Sequence, residues 1–180
     1  MLNKSSIASL TPFTSENDPS ISFSNYKLSY FFFHSLLDPQ YKKTMQNIFI
    51  VAAKRTPFGS FGGSLKNVSA TELATHATKA ALSSGNIDPS LIDAVFVGNV
   101  VQSSDDAAYL ARHVGLQSGI PQSVPALTVN RLCGSGFETL VQGANSIRVG
   151  DAKITVCGGT ENMSAAPFTL DGNSGMFMNA

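Results

Sequence analysis

The sequence predicts an α/β fold with a mostly parallel sheet covered by helices, and two observations support this prediction. From residue 46 onward, short apolar runs alternate with longer segments whose apolar residues recur every three or four positions. Strands that alternate with helices in this way form parallel sheets whose faces the helices cover. The chain has 180 residues, enough for one such domain with a real core.

The predicted elements follow one another in regular order. Ser69 is the expected N-cap of the first helix, because Glu72 stands three residues later as in a capping box. The predicted strands are 48–53, 92–97, 124–129 and 154–157, and the predicted helices are 70–83, 105–116 and 134–149. The first helix is expected to face the core with Leu73, Ala77, Ala80 and Ala81. One face is expected to carry Ala107, Leu110, Ala111 and Val114 in the second helix, and Phe137, Leu140, Val141, Ala144 and Ile147 in the third.

Composition argues against several classes of function. The chain has 12 basic and 12 acidic residues, so we expect no general electrostatic capture of nucleic acid or anionic membrane. The three histidines are scattered and neither cysteine has a second ligand at zinc-like spacing, so no metal site is expected. The longest apolar and aromatic run, 28–37, is too short to span a bilayer. Two cysteines without a secretory signal favour free thiols.

Cys133 is the strongest candidate for a catalytic residue. It lies between a predicted strand and the predicted third helix, followed by Gly134 and Gly136. Unpaired N–H groups and the positive end of the helix dipole stabilise a thiolate at a helix start, and glycines leave room for an acyl group. The alternative is a small buried cysteine in a tight strand-to-helix turn. Cys157 ends an apolar strand, where a structural role is the commoner one.

Other motifs in the chain do not match the patterns they resemble. The segment 134–139 begins like a dinucleotide-binding fingerprint, but Thr139 occupies the third glycine position. As a nucleophile elbow it fails, because Cys133 stands where the first glycine belongs. The Gly158-Gly-Thr160 run lacks the Lys-Ser/Thr of a phosphate-binding loop. Arg112 and His113 are expected on a solvated helix flank, with a ligand contact of Arg112 as the alternative.

Five segments in order resemble the N-terminal part of the thiolase family. They are Val51-Ala-Ala-Lys-Arg-Thr-Pro-Phe-Gly59, Gly98-Asn-Val-Val-Gln-Ser103, Tyr109-Leu-Ala-Arg-His-Val-Gly115, Asn130-Arg-Leu-Cys-Gly-Ser-Gly-Phe137 and Cys157-Gly-Gly-Thr-Glu-Asn-Met-Ser164. The Arg131-Leu132 pair resembles the degradative branch of the family, which cleaves 3-ketoacyl-CoA. Acetoacetyl-CoA-forming relatives tend to have Lys-Val there. Ketoacyl synthases also carry a helix-start cysteine, but in a different local sequence.

The resemblance implies a function and a site. Cys133 would be the nucleophile that is acylated, and its backbone N–H would donate to the oxyanion. The substrates would be coenzyme A and acyl-CoA, with no bound cofactor. The resemblance implies a location in the mitochondrial matrix. It also implies that the full-length protein forms a dimer or tetramer. Residues 1–45, rich in Ser and Thr and without arginine, are expected to be a disordered or foreign extension. Residues 46–166 would be the incomplete N-terminal domain, and 167–180 the start of the loop domain.

The resemblance also leaves family parts unmatched. Neither a Gly-His-Pro nor an Asn-Glu-Ala-Phe string occurs, and by position Cys157 belongs to the family's fourth-strand turn rather than to its Cys-x-Gly segment. We therefore expect a truncated thiolase half with negligible turnover alone. Its third helix would expose an apolar patch of Phe137, Leu140 and Val141. The alternative is a non-catalytic module that pairs with a full-length thiolase.

Overall fold

The computed structural model describes residues 47–168, and a three-stranded parallel sheet lies at its centre. The strands are β1 (Ala94–Gly98), β2 (Ala126–Val129) and β3 (Thr155–Gly159), in the order β2-β1-β3. The helices are α1 (Ala70–Ser84), α2 (Leu110–Gln117) and α3 (Ser135–Val149). Short 3₁₀ turns span Pro89–Leu91, Ala107–Tyr109 and Met163–Ala165. The predicted α/β architecture is confirmed. Residues 1–46 and 169–180 lie outside the described residues, and with them the predicted extension and most of the predicted loop-domain start.

Helix α1 begins at the predicted cap. The Ser69 hydroxyl accepts the Glu72 N–H at 3.1 Å, and the Glu72 carboxylate accepts the Ser69 N–H at 2.9 Å. The predicted buried face is rotated, because the fully buried residues include Thr71, Thr75 and Leu82 instead of Leu73 and the three alanines. Thr75 is tolerated inside since its hydroxyl donates to the Gln117 side chain of α2 at 3.2 Å. A polar residue with a hydrogen-bond partner thus occupies a buried position at which a hydropathy pattern predicts an apolar residue.

Helix α2 carries the main hydrophobic core. Its predicted face is confirmed: Ala107, Leu110, Ala111 and Val114 are all at most 2% exposed. Leu110 and Val114 pack in one cluster with Val95 of β1. The helix begins later than predicted because a 3₁₀ turn occupies 107–109.

Helix α3 packs on the sheet with small residues. The buried positions are Ser135, Thr139 and Gly143, four residues apart. A methyl group on Gly143 would stand only 2.4 Å from Cys157 Sγ, so a large side chain has no room on this face. The predicted apolar face lies on the other side, where Phe137 is 78% exposed and Leu140 and Val141 are about half-exposed. The expected apolar patch is therefore present on the described residues.

The first predicted strand is wrong. Residues 48–53 have no strand structure, and Phe49, Ile50 and Val51 are at least 70% exposed. An extended segment becomes a strand only when a neighbour supplies backbone partners. The ladders of the described sheet join β1 to β2 and β3 only. An apolar run in the sequence cannot show whether such a partner is present.

Asp93 joins the starts of β1 and β3. Its carboxylate accepts the Lys153 N–H at 2.7 Å and the Ile154 N–H at 3.0 Å. These bonds, that from Ile154 first, lower the pKa of Asp93 from its ordinary value of 3.8. Since the folded pKa is depressed, the stabilisation is present above that ordinary value and is lost as pH falls through the folded pKa.

We therefore expect Asp93→Asn to destabilise the fold at neutral pH and to match the wild type more closely in acid. Urea unfolding at steps between about pH 6 and pH 3 measures the difference in the free energy of unfolding. A difference that stays constant over this range would show that the Asp93 charge contributes nothing.

In the part of the chain that the structure describes, no helix is both long and apolar enough to cross a membrane.

Candidate active site

Cys133 lies in a tight turn between the end of β2 and the start of α3. We call residues 130–134 the cysteine turn. Leu132 adopts a left-handed backbone conformation, with φ at +49°. For a side chain such as leucine this conformation costs on the order of 1–2 kcal/mol, so the surrounding structure must hold it in place.

Two side chains hold the cysteine turn. The Ser135 hydroxyl donates to the Leu132 carbonyl oxygen at 2.6 Å and accepts the Arg131 N–H at 2.8 Å. The Asn130 side-chain oxygen accepts the Leu132 N–H at 3.1 Å, and its amide donates to the Val100 carbonyl beyond β1 at 3.3 Å. Both backbone polar groups of the strained residue are thus bonded, which explains how the conformation persists.

The thiol of Cys133 is exposed, in contrast to the buried alternative considered from the sequence. Among the hydrogen bonds of residues 47–168, none uses the Cys133 N–H, and α3 has no side-chain N-cap. The positive end of the α3 dipole therefore lies close to the sulfur. This arrangement leaves a backbone donor beside the exposed thiol.

Glycines bring the start of α3 against the carboxyl end of the sheet. A Cβ on Gly98 at the end of β1 would lie 2.6 Å from the Ser135 carbonyl carbon. A Cβ on Gly159 at the end of β3 would lie 3.1 Å from the Gly136 Cα. The start of α3, which follows the cysteine turn, is therefore in backbone contact with the ends of β1 and β3 at the carboxyl edge of the sheet.

Strand β3 extends further than the predicted strand 154–157. Gly158 and Gly159 continue β3, and the chain turns at Thr160. The Glu161 carboxylate accepts the N–H groups of Val100 and Val101, both at 2.9 Å, and the buried Asn99 amide at 3.0 Å. It therefore holds the loops that follow β1 and β3 together.

Asn162 fixes the approach to α1 in the same way. Its buried amide donates to the carbonyls of Lys66 and Val68, and its oxygen accepts the N–H groups of Ser164 and Ala165. The side chains of Glu161 and Asn162 thus bond mainly to backbone groups. In the described structure they hold together the loops at the carboxyl edge of the sheet.

Arg112 and His113 also have structural partners. Arg112 donates to the carbonyls of Gln122 and Val124 at 2.7 and 2.8 Å, so it anchors the loop before β2 and is not on a solvated flank. The His113 Nδ1 atom lies 2.6 Å from an Asp106 carboxylate oxygen. Bonds from Ser104 first, and then from His113, lower the pKa of Asp106. Neither side chain contributes to the cysteine turn.

The described residues hold no cluster of three metal-binding side chains. A cleft of about 340 Å³ lies between α1 and the 56–68 loop. Its lining is Thr56, Pro57, Leu65, Val68, Glu72, Leu73 and His76. This cleft does not include Cys133, and it carries no buried charge that would mark a catalytic site.

Sequence reasoning missed the residues that support Cys133. Asn130 and Ser135 are short polar residues beside a turn, and such residues commonly bond to nearby backbone. That general tendency is the only feature of the sequence that could have indicated a supporting role for Asn130 and Ser135. The left-handed Leu132 has no sequence signal, because glycine or asparagine is the usual residue in that conformation.

The two cysteines differ in environment. Burial raises the pKa of the Cys157 thiol, which lies 3.5 Å from the Thr155 hydroxyl and faces Gly143 of α3. Cys133 is exposed at a helix start. Because only the thiolate reacts, we expect iodoacetamide to modify Cys133 at least about tenfold faster than Cys157 at neutral pH.

Peptide mass spectrometry over a time course measures the two rates. In denaturant the rates are expected to converge, which controls for intrinsic differences between the two peptides. Equal rates in the folded protein would contradict the assignment of Cys157 as the protected thiol.

Comparison with known proteins agrees with this geometry. The model of the thiolase N-terminal domain matches residues 48–180. The chain belongs to the thiolase family. Human mitochondrial 3-ketoacyl-CoA thiolase is 58% identical over 126 residues, which are 70% of this chain and 32% of the relative. An acetyl-CoA acetyltransferase of Cupriavidus necator is 43% identical over 129 residues, 72% of this chain and 33% of the relative.

Solved structures show the same fold. The crystal structure of human mitochondrial 3-ketoacyl-CoA thiolase in complex with CoA matches with a TM-score of 0.71 and 53% identity, covering 76% of this chain and 35% of that one. The Bacillus anthracis acetyl-CoA acetyltransferase matches with a TM-score of 0.67 and 38% identity, covering 72% of this chain and 33% of that one. The chain thus spans about a third of the length of the relatives that it matches.

Proposed function

We propose that this chain supplies the acylated cysteine of a 3-ketoacyl-CoA thiolase, with Cys133 as the nucleophile. The observation that carries the proposal is the exposed Cys133 thiol at the uncapped start of α3, beside a backbone N–H without a partner among the described residues. Nucleophile and oxyanion donor are thereby supplied by one residue. The 58% identity to the human mitochondrial 3-ketoacyl-CoA thiolase supports the substrate class.

The reaction proceeds through an acyl thioester on Cys133. The thiolate adds to the 3-keto carbon of a 3-ketoacyl-CoA, and the Cys133 N–H donates to the developing oxyanion. The bond between C2 and C3 then breaks, and its electron pair leaves as the enolate of acetyl-CoA, which is protonated. Free CoA finally attacks the thioester, releases the shortened acyl-CoA and returns the thiol. A single oxyanion donor contributes about 3–4 kcal/mol in comparable sites.

Coenzyme A and acyl-CoA are the proposed substrates, and the complex of the human relative with CoA supports this choice. The proposed setting is fatty-acid β-oxidation in the mitochondrial matrix, because the most similar relatives compared are mitochondrial 3-ketoacyl-CoA thiolases. The proposed assembly is a dimer or tetramer of the full-length protein. Residues 46–166 remain the proposed N-terminal domain, with 1–45 before it and the start of a loop domain after it.

In the family, the histidine of the Gly-His-Pro segment activates the nucleophile and the cysteine of the Cys-x-Gly segment moves the enolate proton. Neither has a counterpart in the 180 residues. We therefore propose that this chain alone performs only the acyl exchange between CoA and Cys133, with negligible cleavage of a 3-ketoacyl-CoA. The exposed patch of Phe137, Leu140 and Val141 favours a second candidate function, a module that pairs with a full-length thiolase. An acetyl-CoA acetyltransferase is a further alternative within the family, supported by relatives at 43–48% identity.

The test is exchange of isotope-labelled CoA into unlabelled acetyl-CoA, without any second substrate. A cysteine that forms an acyl thioester reversibly catalyses this exchange, because each half of the reaction is complete in itself. The proposal expects exchange above the rate of free cysteine at the same concentration. Exchange no faster than with free cysteine would overturn it and favour the non-catalytic module.

A further inference from the structure

The Ser135 hydroxyl is placed to set the direction of the Cys133 N–H. It donates to the Leu132 carbonyl oxygen at 2.6 Å, and the Ser135 N–H donates to the same oxygen at 3.0 Å. That carbonyl belongs to the peptide group whose other end is the Cys133 N–H. The described peptides are all trans, so the carbonyl and the N–H of this rigid plane point in opposite directions. Fixing the oxygen therefore fixes the N–H.

The same hydroxyl also fixes the backbone on the other side of Leu132. It accepts the Arg131 N–H at 2.8 Å, so one side chain bonds to a peptide group before and a peptide group after the left-handed residue. Ser135 is only 4% exposed, so water cannot readily replace its hydroxyl. Asn130 adds a second support through the Leu132 N–H.

We propose that Ser135 is a positioning residue for acyl transfer at Cys133, acting through the Leu132–Cys133 peptide plane. The inference rests on the proposed function and adds to it the group that orients the oxyanion donor. Without the hydroxyl, the Arg131 N–H loses its partner and the Leu132 carbonyl keeps only the bond from the residue 135 N–H. The left-handed conformation of Leu132 is then less well held, and the peptide plane can rotate. The thiol stays exposed and reactive, but the N–H no longer points where the oxyanion forms.

The experiment compares two reactions of the same thiol. In acylation by acetyl-CoA, a bond forms from Cys133 sulfur to the carbonyl carbon, an oxyanion develops, and CoA leaves as its thiolate. In alkylation by iodoacetamide, sulfur displaces iodide at a saturated carbon and no oxyanion forms. The ratio of the two rates therefore reports on the oxyanion donor separately from the thiol.

For Ser135→Ala we expect acylation to fall on the order of tenfold to a hundredfold, because a displaced donor is lost to the transition state, while alkylation changes less than about threefold. Ser135→Thr keeps the hydroxyl and is expected to restore most of the acylation rate. Thr139→Val is the matched control, because Thr139 lies one turn further along α3 and bonds only to the Gly136 carbonyl at 2.7 Å. It is expected to behave like the wild type.

Asn130→Ala provides an independent variant should Ser135→Ala fail to fold, and it is expected to lower the same ratio. A wild type that is not acylated would overturn the proposed function, and the positioning role with it. A wild type that is acylated, together with variants whose two rates fall equally or do not change, would overturn the positioning role alone.

Discussion

Replacing Cys133 with serine is expected to lower the rate of exchange of labelled CoA into acetyl-CoA by at least about a thousandfold. A serine hydroxyl is a weak nucleophile without an adjacent base, and in the described residues no histidine forms a hydrogen bond with the cysteine turn. The backbone N–H and the start of α3 remain in the variant, so the loss reports on the sulfur alone. The measurement is the initial rate of label transfer at saturating acetyl-CoA.

Cys157→Ser is the matched control for this substitution. Cys157 faces Gly143 inside the α3–β3 contact and takes no part in the proposed chemistry, so the exchange rate is expected to stay near that of the wild type. If Cys133→Ser kept the exchange and Cys157→Ser lost it, the assigned nucleophile would be the wrong cysteine.

Gly98→Ala is expected to destabilise the fold by about 3 kcal/mol or more. The added methyl carbon would lie 2.6 Å from the Ser135 carbonyl carbon, 2.8 Å from its oxygen and 2.9 Å from the Gly136 nitrogen. All three are backbone atoms, so no side chain can rotate away, and the first turn of α3 must move off the sheet. Urea unfolding followed by circular dichroism measures the lost free energy.

Gly158→Ala is the control from the same sheet. A Cβ on Gly158 meets nothing within 4 Å, so this variant is expected to stay close to the wild type. The cysteine turn is attached to the start of α3, so Gly98→Ala is also expected to lower acylation of Cys133. Equal stability of the two alanine variants would show that α3 is not seated on β1 as described.

Much of the fold could be predicted from the sequence because local chemistry fixes it. The Ser69 and Glu72 capping box needs only residues three apart, and the α2 face needs only a helical repeat of apolar residues. The prediction of a strand at 48–53 was wrong because strand pairing depends on residues far along the chain. The face of α3 that packs on the sheet was also not predictable. Its close packing depends on Gly98, Gly143 and Gly159, which have no side chain for a hydropathy pattern to detect.

The site divides in the same way. The position of Cys133 before the start of α3 could be predicted, because an apolar strand, a cysteine and glycines at a helix start form a recognisable arrangement. The position of the α3 start at the carboxyl edge of the sheet agrees with the rule that the carboxyl ends of parallel strands share an edge. The supporting bonds of Asn130 and Ser135 could not be predicted, because they depend on the left-handed backbone of Leu132.

The most direct test of the central claim is to find where the acyl group resides. The protein is incubated with acetyl-CoA, quenched in acid to preserve the thioester, digested and mapped by mass spectrometry. If Cys133 is the nucleophile, the acetyl group lies on the peptide that contains Cys133 and is removed by free CoA. An acetyl group on Cys157, or equal labelling of both cysteines, would contradict the assignment.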